Sequence, residues 1–143
     1  MSEDNGNNWI SLTSSIPILN SIYFTDRYTG WAVGGYTVYV QHHREYFGYV
    51  YKTTNGGISW ARQDTILSNI LNDVYFIDEN QGWIAGNGIL MRTTNGGTNW
   101  IKTNNYSYDL NSIYFIDYEK GYSVGLFIYG INKILQTTDG GVS

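Results

Sequence analysis

The chain has 143 residues, with 8 Lys and Arg against 12 Asp and Glu, a formal net charge of -4, and 14 tyrosines, 5 tryptophans and 5 phenylalanines. Its basic residues stand singly, so no stripe exists that could neutralise a run of phosphates, and an ordinary nucleic-acid binder is excluded. With no cysteine there is neither a disulfide nor a thiolate metal site, and no apolar run approaches the roughly 18 residues of a membrane-spanning helix, so the chain reads as soluble.

Residues 1–8 form a polar, acidic tail without the basic start and apolar stretch of a secretory leader. Asn7-Asn-Trp9-Ile-Ser-Leu12 follows, and it is similar to Asn99-Trp-Ile-Lys102 much further along. It reads as a strand, within residues 9–18, that has no partner strand beside it in sequence. Next comes the first of three near-copies: Leu19-Asn-Ser-Ile-Tyr-Phe-Thr-Asp26, Leu71-Asn-Asp-Val-Tyr-Phe-Ile-Asp78 and Leu110-Asn-Ser-Ile-Tyr-Phe-Ile-Asp117. Each leads to a Gly-aromatic patch (Gly30-Trp31, Gly82-Trp83, Gly121-Tyr122) and then to Thr53-Thr-Asn-Gly-Gly57, Thr93-Thr-Asn-Gly-Gly97 or Thr137-Thr-Asp-Gly-Gly141. A fixed period of about 40 residues marks supersecondary units that bury their faces against their neighbours.

Within one unit, Asn72-Asp-Val-Tyr-Phe-Ile77 is β-branched and aromatic and too short for a helix. Trp83-Ile-Ala-Gly86 and Ile89-Leu-Met-Arg-Thr-Thr94 flank Asn87-Gly88, the dipeptide that tight hairpins prefer. Asn95-Gly-Gly97 then turns the chain into a fourth strand, Asn99-Trp-Ile-Lys-Thr103. Four antiparallel strands per unit make a propeller blade. The predicted strands lie near 20–25, 31–40, 47–54 and 58–65 in blade one (19–66), near 72–77, 83–86, 89–94 and 98–103 in blade two (67–104), and near 111–116, 122–128 and 131–138 in blade three (105–143). The third blade lacks its outer strand, and the N-terminal strand is the matching spare piece.

The fold class is therefore all-β, a propeller with three four-stranded blades per chain. Three blades cannot plausibly close a ring, since propellers typically close with four to eight. Two copies about a twofold axis give six, each N-terminal strand completing the partner's third blade and pairing an open edge. A homodimer is the expected assembly. A segment excised from a longer propeller would face the same demand, because open edges and apolar blade faces drive association.

The pattern Leu-Asn-x-Val/Ile-Tyr-Phe-x-Asp, Gly-Trp-x-x-Gly and Thr-Thr-Asn/Asp-Gly-Gly-x-x-Trp resembles the propeller repeat of the photosynthesis-system assembly-factor type, related to the bacterial neuraminidase (BNR) or Asp-box repeat, over nearly the whole chain from Trp9. The Asp-box counterparts are Thr54-Asn-Gly-Gly-Ile-Ser-Trp60, Thr94-Asn-Gly-Gly-Thr-Asn-Trp100 and Thr138-Asp-Gly-Gly-Val-Ser143. Two copies carry asparagine for the family aspartate and the third has no tryptophan. The box is expected to be a turn: Asn55, Asn95 and Asp139 accept backbone hydrogen bonds, Gly57, Gly97 and Gly141 take positive φ, and Trp60 and Trp100 pack over the loop. The resemblance implies an extracellular or periplasmic setting. It leaves function wide open, because the fold hosts sialidases, sugar-binding modules, receptor ectodomains and assembly chaperones.

In such a blade the first-to-second and third-to-fourth turns share one face, so the variable loops lie on the other. There the longest hairpin, Tyr36 to Tyr51, carries Tyr39, His42, His43, Arg44, Tyr46 and Tyr49, stacking planes and hydrogen-bonding groups suited to a sugar or a peptide. The plainer use of such a hairpin is to cover an inter-blade or inter-subunit surface. Tyr106 and Tyr108, in the loop Asn104 to Asp109, and Ser68-Asn69 share that face. Asn20, Asn72, Asp73 and Asn111, at the entries of the innermost strands, are expected to line the channel, or else to cap the strand entry locally. Two adjacent histidines without a third His or Cys make no closed zinc site, and no metal or cofactor is expected.

A sialidase needs an arginine cluster, a tyrosine nucleophile with a carboxylate partner, and an acid. Arg27, Arg44, Arg62 and Arg92 occupy unrelated positions, the Arg-Ile-Pro motif of the catalytic family is absent, and Asp73 and Asp109 have no spacing that fixes a carboxylate pair. The chain is read as no enzyme. It is a propeller that binds a glycan or protein partner through its variable-loop face, or alternatively a structural unit whose action is forming the ring.

Overall fold

The structure, a computed structural model, describes residues 6–11, 18–126 and 132–142, with the side chains at 64–67 and 104 left aside. The described residues form two antiparallel sheets. The first has the order β1-β2-β3-β4 and the second β5-β6-β7-β8-β9. Their strands are β1 (Leu19–Phe24), β2 (Gly30–Val40), β3 (His43–Thr53), β4 (Ala61–Leu67), β5 (Leu71–Phe76), β6 (Gly82–Thr93), β7 (Ile101–Phe115), β8 (Gly121–Leu126) and β9 (Asn132–Thr137).

Two of these elements join strands that the repeat reads as separate. Along β6, Arg92 lies over the Trp83 ring at 5.7 Å, whereas nine residues of extended strand would separate them by roughly 30 Å. The chain therefore doubles back at Asn87-Gly88, where Gly88 takes φ 68°, and the hairpin expected there is present. β7 runs from the outer edge of repeat two, where Ile101 pairs with Arg92, into the inner strand of repeat three, where Tyr114 pairs with Tyr122. β4 starts at Ala61 rather than 58, because the residues before it belong to the Gly-Gly loop. Trp9, Ile10 and Ser11 lie outside any strand and are exposed. Residues 12–17, the rest of the expected N-terminal strand, fall outside the described residues.

The long hairpin is tighter than expected. β3 begins at His43, and Val40 pairs with His43 around a two-residue turn made by Gln41 (φ 43°) and His42 (φ 82°). His42 is thus in the turn and not on a strand.

Packing between repeats follows one plan used twice. Trp31, Val33 and Val50 of the first repeat enclose one core cluster against Leu71, Val74 and Phe76 of the second. Trp83, Ala85 and Leu90 of the second do the same against Leu110, Ile113 and Phe115 of the third. In each case the indole stacks on the phenylalanine, Trp31 on Phe76 at 3.6 Å and 13° and Trp83 on Phe115 at 3.6 Å and 10°. Each repeat thus has a forward face led by its aromatic after glycine and a rear face led by the Leu/Val/Phe set. The two faces left at the ends are open. Leu19, Ile22 and Phe24 are 41%, 57% and 38% exposed, while their counterparts Leu71, Val74 and Phe76 are 0%, 2% and 1%. At the other end Val124 and Ile134 are exposed, where Val33, Ala85, Val50 and Leu90 are buried.

Candidate functional site

The turn face is fixed by three equivalent loops. Thr53 Oγ1 donates to Asn55 Oδ1 (2.9 Å) and accepts from the N–H of Gly57 (3.0 Å); Thr93 does the same with Asn95 and Gly97, and Thr137 with Asp139 and Gly141. The Asn or Asp oxygen then accepts from Ser59 N, Asn99 N or Val142 N. The acceptor oxygen makes the shared turn bonds in all three loops, which is why asparagine replaces aspartate without changing the loop; at Asn55 the amide Nδ2 also donates to Ser59 Oγ (2.9 Å). Gly57, Gly97 and Gly141 have φ of 85°, 82° and 74°, as the turn requires. Trp60 and Trp100 meet Phe24 and Phe76 edge-on at 5.9 and 5.8 Å. The repeat did not reveal the partner of the first tryptophan: Trp31 Nε1 donates to Gly96 O (3.1 Å) and Trp83 Nε1 to Gly140 O (2.8 Å), so each repeat's indole seals the loop of the next.

The first-to-second turns lie against these loops, through Gly56 N to Tyr28 O, Gly96 N to Asn80 O and Gly140 N to Glu119 O. That places both turn sets together and the remaining connections on the opposite side. The aspartates ending the repeated motif accept two backbone N–H groups each. The N–H groups of Tyr28 and Thr29 hold the Asp26 carboxyl below its ordinary value, and those of Lys120 and Glu119 do so for Asp117. At Asp78 burial pushes upward, and the N–H groups of Gln81 and Asn80 with the Tyr118 hydroxyl outweigh it.

On the inner strands the expected channel residues stitch one repeat to the next. Asn20 Nδ2 donates to Leu71 O (2.8 Å), and Asn72 Nδ2 donates to Leu110 O (2.8 Å) and to Asn87 Oδ1 (2.9 Å). Their side chains reach the following inner strand and not their own strand entry. Asp73 joins all three repeats: Oδ1 accepts from Ser21 Oγ (2.7 Å) and Val74 N, and Oδ2 accepts from Ser112 Oγ (2.8 Å) and Ile113 N. Asn111, the third in the series, is exposed. Beside them Tyr23, Tyr75 and Tyr114 form a ladder with 5.0 Å between successive ring centroids. Burial, then the neighbouring Tyr23 and Tyr114, push the Tyr75 phenol up to about 12.

The variable-loop face carries the cleft. It has a volume of about 550 Å³ and is lined by Tyr46, Ser68, Asn69, Tyr106, Tyr108 and Asp109 and by the Asn87-Gly88 turn, among others. Residues from the long hairpin, the fourth-to-first connection and β7 thus converge, and three of the expected tyrosines meet there. Tyr106 and Tyr108 are neighbours at 5.1 Å, and burial followed by Tyr106 pushes the Tyr108 phenol up. A smaller cleft sharing Tyr46 and Ser68 is lined by Arg44 and Glu45. The other hairpin residues stand apart. Tyr39 is exposed at the tip with Arg44 over its ring at 5.2 Å, His43 Nε2 is 3.2 Å from Glu45 Oε1, and His42 occupies the turn. Tyr49 is buried, between Tyr36 and Tyr51 and under Arg62, and serves packing. Among the described residues no group of three His, Cys, Asp or Glu converges as a metal site.

No protein-family model matches the chain, and no curated protein matches it. Among solved structures, YCF48 from Cyanidioschyzon merolae, a β-propeller, superimposes with a TM-score of 0.62 at 19% sequence identity, covering 88% of this chain. The chain spans 35% of the length of that structure. At this identity the likeness carries the fold, which is all-β and propeller-like.

Proposed function

We propose that this chain is a non-catalytic binding module, half of a six-bladed propeller that a second copy completes, and that it takes a glycan or a peptide segment of a partner protein in the variable-loop cleft. The observation that carries the binding reading is the cleft itself. At about 550 Å³ it falls within the usual size of a ligand pocket, and it sets three tyrosines from two chain segments, Tyr46 of β3 and Tyr106 and Tyr108 of β7, around amide and carboxylate groups. Tyrosines offer stacking faces with polar tips at low entropic cost, as sugar rings and peptide planes require. A non-catalytic role is supported by the carboxylates. Asp73 is engaged by four donors from three repeats, while Asp109 lies in the cleft, so the two do different jobs.

The strand pairing supports a reading of three four-stranded blades per chain, in which the hairpin in β6 and the two halves of β7 are counted separately and the N-terminal segment supplies the last strand. The twice-used packing plan supports the second copy: the open rear face of the first repeat and the open forward face of the third are the two halves of that same contact. A purely structural, self-assembling unit is the second reading, favoured by those open faces alone.

A screen of the full chain against immobilised glycans and partner peptides separates the two. Binding that falls at least tenfold in Tyr46→Ala and Tyr106→Ala supports the module. An intact assembly that binds nothing contradicts it and leaves the structural unit.

A further inference from the structure

Of the residues that line the variable-loop cleft, Asp109 alone brings a full charge, and no Lys, Arg or His stands beside it in the lining. It is set apart from the other described aspartates. Asp26, Asp78 and Asp117 each accept two backbone N–H groups, Asp73 is held by four donors, and Asp139 is tied into its loop by Thr137 and Val142. Among the described residues neither a hydrogen bond nor an ion pair engages the Asp109 carboxylate, and the residue is exposed.

The backbone fixes what surrounds that carboxylate. Asn87 pairs with Asp109 and Ile89 with Asn105, so Tyr106, Ser107 and Tyr108 lie opposite Gly88 alone and bulge out of the ladder. Gly88 has φ 68°, and a Cβ there would come within 2.9 Å of Tyr106 O, so glycine lets the bulge close down on the turn. The bulge holds the Tyr106 and Tyr108 rings with centroids 5.1 Å apart and planes tilted by 42°. Tyr46 of β3 lines the same space from the long hairpin.

Charge decides among the ligands that such a cleft could take. Aromatic faces carry negative potential, so an anion meets repulsion from the rings and the carboxylate alike, and a neutral sugar uses the carboxylate only as a hydrogen-bond acceptor. A cation gains from both. The chain's own side chains make this pairing nearby: Arg44 lies over the Tyr39 ring at 5.2 Å and Arg62 over the Tyr49 ring at 4.5 Å, both on the long hairpin that carries Tyr46. Arg44 is taken up there, in the adjoining cleft beside Glu45. We propose that the main cleft receives an arginine side chain of a partner protein, its guanidinium plane on the tyrosine faces and its N–H fork on the Asp109 carboxylate. This deepens the binding reading, rests on its cleft, and selects the peptide over the glycan.

The probe is the peptide acetyl-Gly-Gly-Arg-Gly-Gly-amide, titrated into the isotope-labelled full chain and followed by amide NMR. Its control carries citrulline, which keeps the shape of arginine without the charge. The arginine peptide should shift the Ser107, Tyr108 and Asp109 amides to saturation, bind about tenfold more tightly than the citrulline peptide, and weaken as salt is raised. Asp109→Asn, whose spectrum also reports that the fold is kept, should bring the arginine peptide down to the citrulline level. Tyr106→Leu, which keeps the bulk and removes the ring, should weaken it about fivefold. Equal binding of the two peptides, binding unchanged in Asp109→Asn, or no shift with either peptide would overturn the proposal. Where the arginine peptide fails, a neutral glycan that shifts the same amides leaves the binding module standing, and a cleft that takes neither removes both.

Discussion

Thr53, Thr93 and Thr137 each organise a glycine turn with one hydroxyl, which donates to the Asn or Asp side chain and accepts from the backbone of the second glycine. Thr93 is buried, so Thr93→Val keeps its shape and leaves Gly97 N without its acceptor. It should cost about 1–3 kcal/mol in urea unfolding; an unchanged midpoint would mean the loop does not depend on the hydroxyl. The three first-turn aspartates set the acid limb. Their folded carboxyls titrate below the ordinary 3.8, so the stability they contribute is fully present above that value and is lost as pH falls through the lower folded values. Melting temperature should hold from neutral pH to about pH 5 and fall below about pH 4. Replacing Asp26, Asp78 and Asp117 together by asparagine, which still accepts the N–H groups, should flatten that fall; an equally steep fall would assign it elsewhere. These turn residues were legible from the sequence because glycine pairs and Asx residues announce local geometry. The indole bond from Trp31 to Gly96 was not, since its partners are 65 residues apart and only the packed repeats bring them together.

At the scale of elements, alternation and turn dipeptides located the inner strands within a residue or two. What periodicity could not convey was continuity: β7 joins an outer strand to the next inner strand without a break, because Asp109 pairs both with Asn87 and with Leu126. The long hairpin shows the opposite case, where turn chemistry was hidden. Gln41 and His42 both adopt positive φ, a conformation tight turns usually assign to Asn-Gly. Gln41→Asn with His42→Gly should therefore stabilise the chain by about 1 kcal/mol, read as a higher urea midpoint; a lower midpoint would show that the tip side chains contribute more than the turn strain removes. For the cleft, strand order placed the hairpin with Tyr46 and the loop with Tyr106 and Tyr108 on one face, and all three tyrosines line it. Tyr49 was misplaced, because alternation along β3 turns it into the packed side of the hairpin, against Tyr36.

The whole molecule is governed by its repeated contact. Each inner interface buries a Leu/Val/Phe or Leu/Ile/Phe set under an indole, and burial of each such side chain stabilises by about 1.5–3 kcal/mol. The same contact, divided between Leu19, Ile22 and Phe24 at one end and Tyr122, Val124 and Ile134 at the other, faces solvent in a single chain. A head-to-tail contact of this kind closes into a ring or propagates, and the six blades of the proposed two-copy ring lie within the four to eight with which propellers typically close. The association is most directly tested by the solution mass of the full chain from light scattering, measured over a dilution series and repeated with Phe24→Asp, which sets a charge in the shared apolar face. A mass of twice 16.3 kDa that persists at micromolar concentration and drops to the monomer in Phe24→Asp is the expected result, and a native chain that remains a stable monomer throughout would contradict it.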